Sequence, residues 1–137
     1  MPLPKESAGR TTRASLWVAQ ALLGLLFVGT GVWKLATPID RLAAMIPWAG
    51  QVSPAFLRVT AVVDLAGGIG IVLPSLTRIA PRVTVLAALG CALLQVCAIV
   101  FHVSRGEAVN TPFNVVLVAI ASFVAWGRLV RAPVTPR

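Results

Sequence analysis

Hydrophobic and polar positions fall along the chain in four long apolar blocks separated by short polar stretches. Residues 16–33, 83–102 and 112–127 run for 18, 20 and 16 positions without a charge, His102 being counted as neutral. A fourth block, residues 55–73, runs for 19 positions and carries Arg58 near its start and a single carboxylate, Asp64, near its middle. About 20 apolar residues in a helix cross the ~30 Å hydrocarbon core of a bilayer, so the pattern predicts four transmembrane helices. The expected spans are residues 16–36, 55–73, 81–103 and 112–130, forming an all-α, one-domain four-helix bundle.

The breaks between blocks carry their own signals. Residues 1–15 contain Pro2, Pro4, Gly9 and three basic residues, which predicts a disordered basic tail. Residues 37–54 are interrupted by Pro38, Pro47, Gly50 and Pro54, which excludes a long helix. Within them Ile39, Leu42, Ala43 and Ile46 share one helical face opposite Asp40 and Arg41, predicting a short amphipathic segment on the extracytoplasmic side. With Trp48 it either rests in the interface or closes over the mouth of the bundle. Pro74 is expected to end the second span, and Gly106 marks a turn before Pro112, which suits a first helical turn. Pro133 and Pro136 predict a non-helical C-terminal tail over residues 131–137.

Each span also carries a polar or small-residue stripe at the spacing that keeps residues on one helix face. The stripes are Gln20, Gly24, Phe27, Gly31 and Lys34; Thr60, Asp64, Gly67 and Ile71; Thr84, Ala88, Cys91, Gln95, Ala98 and His102; and Asn114, Val118, Ala121, Ala125 and Arg128. Small and polar faces turned inward, with Leu, Val, Ile and Phe outward, make a membrane bundle. An ionisable residue at mid-membrane is expensive, about 2.5–3.5 kcal/mol on insertion scales, so Asp64 is expected to face a partner or a cavity. At a 1.5 Å rise per residue, Gln95 lies at a similar depth and can meet it. Lys34, Arg58, His102 and Asn114 fall nearer the outer surface, as a ring above Asp64. The six form the candidate site. Two readings stay open: a ring that satisfies itself, or a vestibule whose excess positive charge admits an anionic or polar headgroup or relays protons.

Composition supports the membrane reading: 58% of the residues are hydrophobic and 12% charged, and mean hydropathy is +0.89. The net charge of +8 is placed at the span ends rather than on a nucleic-acid-binding face. Four spans put Lys5, Arg10, Arg13, Arg78, Arg82, Arg128, Arg131 and Arg137 on one side, against Lys34, Arg41, Arg58 and Arg105 on the other. By the positive-inside rule both termini are then cytoplasmic, with Arg128 expected to snorkel to the headgroups. Trp17 and Trp33 are expected in the aromatic belts at the two ends of the first span.

Several chemistries find no support. Cys91 and Cys97, six residues apart on one helix, point about 120° from each other and match no metal spacing. One histidine does not ligate haem from both faces, and GGIG lies within the second span, where its glycines serve helix packing. No Ser or Thr has a base beside it, so a hydrolase finds no support, and an activity of the chain on its own stays open.

The order of GLLFVGTGVWKL, DLAGGIGIVLP, AIVFHVSRGE and FNVVLVAIASFVAWGR resembles the DoxX-like family of small four-span bacterial membrane proteins. The family more often has Glu where Asp64 stands, a carboxylate one methylene longer. The resemblance implies a multi-pass protein of the bacterial inner membrane and recurrent polar positions at Lys34, Asp64, His102 and Asn114. Some relatives are subunits of a thiosulfate:quinone oxidoreductase or are linked to thiol redox defence. The expected role is an accessory subunit of a membrane redox or envelope process, binding a quinone, lipid or partner helix. The chain shows no cofactor motif of its own, and a quinone is the candidate ligand. A redox partner protein and a homo-oligomer are the candidate partners. The alternatives are a non-catalytic scaffold and a small oligomeric transporter or channel.

Overall fold

A computed structural model describes the backbone of residues 5–137 and the side-chain surroundings from residue 9 onward. Four helices are long and apolar enough to span a membrane. They are α1 (Lys5–Ala36), α3 (Pro54–Thr77), α4 (Arg82–Ser104) and α5 (Pro112–Trp126), the last continued by a wide π-turn, Gly127–Arg131. A short α2 (Ile39–Met45) and a 3₁₀ turn (Pro47–Gln51) fill the α1–α3 connection. No strand is present among the described residues. Helix α1 packs on α3 and α5, and α4 packs on the same two, closing a ring of four helices with both termini at one end.

Small residues make this ring tight. A Cβ at Gly68 would stand 2.9 Å from the backbone nitrogen of Val28, and one at Gly31 would stand 2.7 Å from the carbonyl oxygen of Ala61. Only bare glycines let α1 and α3 approach this closely. The core is correspondingly slim: Ala19, Leu23, Phe27, Ile71, Ala88, Cys91, Leu117, Ala121, Val124 and Ala125. Leu25, Leu86, Leu93 and Leu129, by contrast, are more than 60% exposed. Large apolar residues outside and small ones inside is the distribution a lipid solvent imposes.

Two boundaries differ from expectation. The helix expected to begin at residue 16 begins at Lys5, so residues 5–15 are helical rather than a disordered tail, while residues 1–4 lie outside the described residues. Both prolines of that stretch precede Lys5, and Gly9 alone costs about 1 kcal/mol, which a long helix absorbs once nucleated. Pro74 does not end α3, which runs on to Thr77. Proline removes one donor to the Gly70 carbonyl, a loss that a packed bundle tolerates when neighbouring groups satisfy the backbone. The Gln20 side chain donates to the adjacent Ile71 carbonyl at 2.6 Å. Helix α3 stops instead at Arg78, which is left-handed at φ 61°. The non-helical C-terminal segment folds back on this corner: Arg78 Nε donates to the Thr135 carbonyl at 3.0 Å, and Arg137 N donates to the Arg78 carbonyl at 3.0 Å.

At the far end, α2 lays Leu42 inward with Asp40 and Arg41 exposed, as the periodicity predicts. Leu42, Ala49 and Leu57 form a second buried cluster, flanked by Trp33, Ile39, Ile46, Trp48 and Val52. Gly106, at φ 74°, makes the α4–α5 turn in a backbone conformation that glycine adopts without strain.

Candidate functional site: a polar-floored cavity between four helices

The polar faces of all four long helices turn inward at the far end and enclose a cavity of about 350 Å³. Five of the six predicted residues line it: Lys34 from α1, Asp64 from α3, Gln95 and His102 from α4, and Asn114 from α5. The rest of the wall is mostly apolar and rich in aromatics, with Phe27, Trp33, Trp48, Phe56, Phe101 and Phe113, and adds the hydroxyls of Thr30 and Thr60. Ile46 and Trp48 reach it from the α1–α3 connection. That segment therefore contributes to the cavity wall.

Lys34 and Asp64 form an ion-pair contact, Nζ to Oδ2, at 2.8 Å, with side chains 11% and 7% exposed. The ammonium also lies 5.8 Å from the ring centre of Trp48. Asn114 Nδ2 donates to Gln95 Oε1 at 2.6 Å, linking α5 to α4. Gln95 thus bonds across to Asn114 rather than to Asp64. His102 sits at the rim, its Nδ1 2.9 Å from Glu107 Oε2, and Arg105 Nε completes the corner 3.4 Å from Glu107 Oε1. The Glu107 carboxyl is held below its ordinary range, first by the hydrogen bond from His102 and then by the charge of Arg105.

Arg58 departs from the predicted ring. Its guanidinium turns to the end of α1 and donates to the carbonyls of Lys34, Leu35 and Thr37, the last two at 3.1 and 3.3 Å. A helix C-terminus offers unpaired carbonyls and partial negative charge, and a guanidinium is suited to both. Among the lining residues one cation, Lys34, faces one acid, Asp64, while the Arg58 charge stays at the neighbouring end of α1. The Lys34–Asp64 contact is neutral overall wherever its proton sits, and Arg105 balances Glu107 at the rim.

The cavity holds unspent hydrogen-bonding groups of both kinds, the second carboxyl oxygen of Asp64 and Nε2 of His102 beside several N–H donors. One ammonium hydrogen of Lys34 serves Asp64, and one amide hydrogen of Asn114 serves Gln95; the other N–H groups of Lys34, Asn114 and Gln95 have no partner among the described residues. Exchanging O and N of both amides together reverses the bond and leaves the same number of free N–H groups. Apolar walls with a few convergent polar groups are the usual make-up of a small-molecule pocket.

Sequence reasoning missed the aromatic lining. Trp33 lines the cavity, and Trp48 and Phe101 meet edge to face at 5.9 Å. Phe27 already stood in the inward stripe of the first span, and Phe101 adjoins His102, so periodicity held part of the signal. The α2 fold that brings in Trp48 is tertiary. Arg128, expected to snorkel, is buried at the opposite end, where its Nε donates to Gln20 Oε1 at 2.7 Å. Cys91 lies in the core and Cys97 is exposed; both are free thiols. No cluster of three or more His, Cys, Asp or Glu is present among the described residues.

The fold and this site define a multi-pass, four-span membrane protein with a polar-floored cavity inside the bundle. Residues 18–124 match the model of the DoxX-like family, and the chain belongs to that family. No curated protein and no solved structure gave a significant match.

Proposed function

We propose that the chain is a quinone-binding accessory subunit of a redox process in the bacterial inner membrane. The observation that carries this reading is the joint character of the cavity: about 350 Å³, aromatic walls, no net charge and unspent N–H donors. A quinone ring is flat, neutral and lipid-soluble, and its carbonyl oxygens accept without donating. Lys34 and Asn114, reaching in from α1 and α5, are placed to donate to such oxygens, while Trp33, Trp48 and Phe101 supply faces and edges for the ring. Bound quinone would supply two-electron chemistry to a partner protein; the chain's own residues hold and orient the ring and keep water away. Some relatives that the resemblance brings in are subunits of a thiosulfate:quinone oxidoreductase, which agrees with this reading. The eight-to-four split of basic residues supports cytoplasmic termini, which puts the cavity in the outer half of the membrane.

The test is a fluorescence titration of the purified protein in nanodiscs with a short-tailed quinone, in a Trp17→Phe/Trp126→Phe background that leaves Trp33 and Trp48 as reporters. Quenching saturates at one quinone per chain, and Asn114→Leu weakens it by about tenfold, the value of one good buried hydrogen bond. Quenching that rises linearly with quinone content, alike in both proteins, refutes the reading.

A further inference from the structure

The rim of the cavity fixes its histidine through a specific turn. Helix α4 ends in a Schellman turn: Glu107 N donates to the His102 carbonyl at 2.8 Å and Gly106 N donates to the Val103 carbonyl at 3.0 Å, with Gly106 left-handed at φ 74°. The turn brings the Glu107 carboxylate back onto the residue whose carbonyl it caps, and Oε2 stands 2.9 Å from His102 Nδ1. Arg105 Nε lies 3.4 Å from the other carboxyl oxygen. Phe101 packs edge to face against the imidazole, ring centres 5.5 Å apart. Both the position and the plane of the imidazole are therefore set.

This geometry also selects a tautomer. An ionised carboxylate accepts and has no hydrogen to give, so Nδ1 carries the hydrogen and the neutral imidazole keeps Nε2 as a bare acceptor. Nε2 has no hydrogen-bond partner among the described residues, and His102 lines the cavity. Gln95, bonded to Asn114, lies two turns deeper on the same face of α4, roughly 10 Å from His102 at ~1.5 Å per residue. A single ring with an oxygen at each end and a hydrogen bond on each oxygen reaches about that far. The floor offers N–H groups and the rim offers a lone pair. A ketone oxygen has nothing to give that lone pair, whereas a hydroxyl does.

We infer that the cavity also binds the reduced ligand, a quinol, and that Nε2 of His102 accepts the hydrogen bond of one of its hydroxyls; the inference rests on the quinone reading of the same site. The second oxygen of the ring accepts from Asn114 at the floor, and Glu107, outside the cavity lining, positions the imidazole in its accepting tautomer. His102 is then the residue that tells the two redox forms apart. The test is an anaerobic competition on the full chain in nanodiscs, with Trp33 and Trp48 as reporters: a short-tailed quinone is bound first and then displaced by the corresponding quinol, which gives the ratio of the two affinities. His102→Phe lowers the quinol-to-quinone ratio about tenfold, the value of one good buried hydrogen bond. Glu107→Gln lowers it about threefold, because an amide hydrogen donated to Nδ1 lets Nε2 carry the ring hydrogen instead. Glu107 does not line the cavity, so its variant tests the inference even where His102→Phe fails to fold. A ratio unmoved in both variants, with quinone still saturating, overturns the inference and leaves the quinone reading standing. No saturable quinone binding by the parent chain overturns both.

Discussion

Lys34 Nζ stands 2.8 Å from Asp64 Oδ2, and the two side chains, each about nine-tenths buried, join α1 to α3 on the floor of the cavity. Removing one partner strands the other in a low-dielectric interior, at a cost of about 3–5 kcal/mol, whereas replacing both with apolar groups is often nearly neutral. Lys34→Met and Asp64→Leu are therefore each expected to destabilise the bundle by about 3 kcal/mol, with the double variant recovering most of the loss. Unfolding in detergent of all four proteins measures the coupling. Losses that simply add would mean that the pair is not coupled.

The spans and their inward faces were legible because a 3.6-residue period and a lipid solvent leave few alternatives. Gln20, Asp64, Thr84, Gln95 and Arg128 are all buried, as their stripes require. Partner choice was not legible. Whether Asp64 meets Lys34 or Arg58 depends on which one the end of α1 claims, and the frayed carbonyls after Lys34 claim Arg58. For Arg128 the inward stripe and the snorkelling expectation pull apart, and the stripe prevails: the guanidinium is buried, donating to Gln20 and to the Ala132 carbonyl. Pro74 illustrates the limit of local rules, since a donor lost in one helix is tolerated when the neighbours pack closely enough.

The glycines are predicted to separate into two groups. Gly31→Ala and Gly68→Ala push a methyl into opposing backbone, which cannot yield without parting α1 from α3, and should cost about 2 kcal/mol each. Gly29 has nothing within 4 Å of its Cβ position, so Gly29→Ala should stabilise by about 0.5–1 kcal/mol through helix propensity alone. Thermal unfolding of the three variants checks the order.

Arg58 is predicted to matter for the helix and not for the ligand. Arg58→Met leaves the carbonyls at the end of α1 without their donor and should destabilise the protein by about 1–2 kcal/mol. Quinone affinity should stay within about twofold of the parent, because Arg58 does not line the cavity. A large loss of affinity at unchanged stability would return Arg58 to the site.

The rim has a defined pH response. Because the folded-state pKa of Glu107 is lowered, its contacts with His102 and Arg105 stabilise the rim above the ordinary glutamate range and are lost as pH falls through the depressed value. Carbon-13 NMR of the two glutamates, Glu6 and Glu107, should show Glu107 titrating below the ordinary range. His102→Ala should bring it back up, since the hydrogen bond from His102 is the largest cause of the shift. A Glu107 titration unmoved by His102→Ala would assign the effect to Arg105 alone.

The central claim is that the bundle holds a quinone among α1, α3, α4 and α5. Photolabelling with an azido-quinone in native membranes, followed by peptide mapping, tests it most directly. The account predicts labelling concentrated around Trp33, Trp48, Phe101 and Asn114, displaced by excess unmodified quinone and reduced in Asn114→Leu. Labelling spread over the lipid-facing Leu25, Leu86 and Leu129, with no displacement, would contradict it.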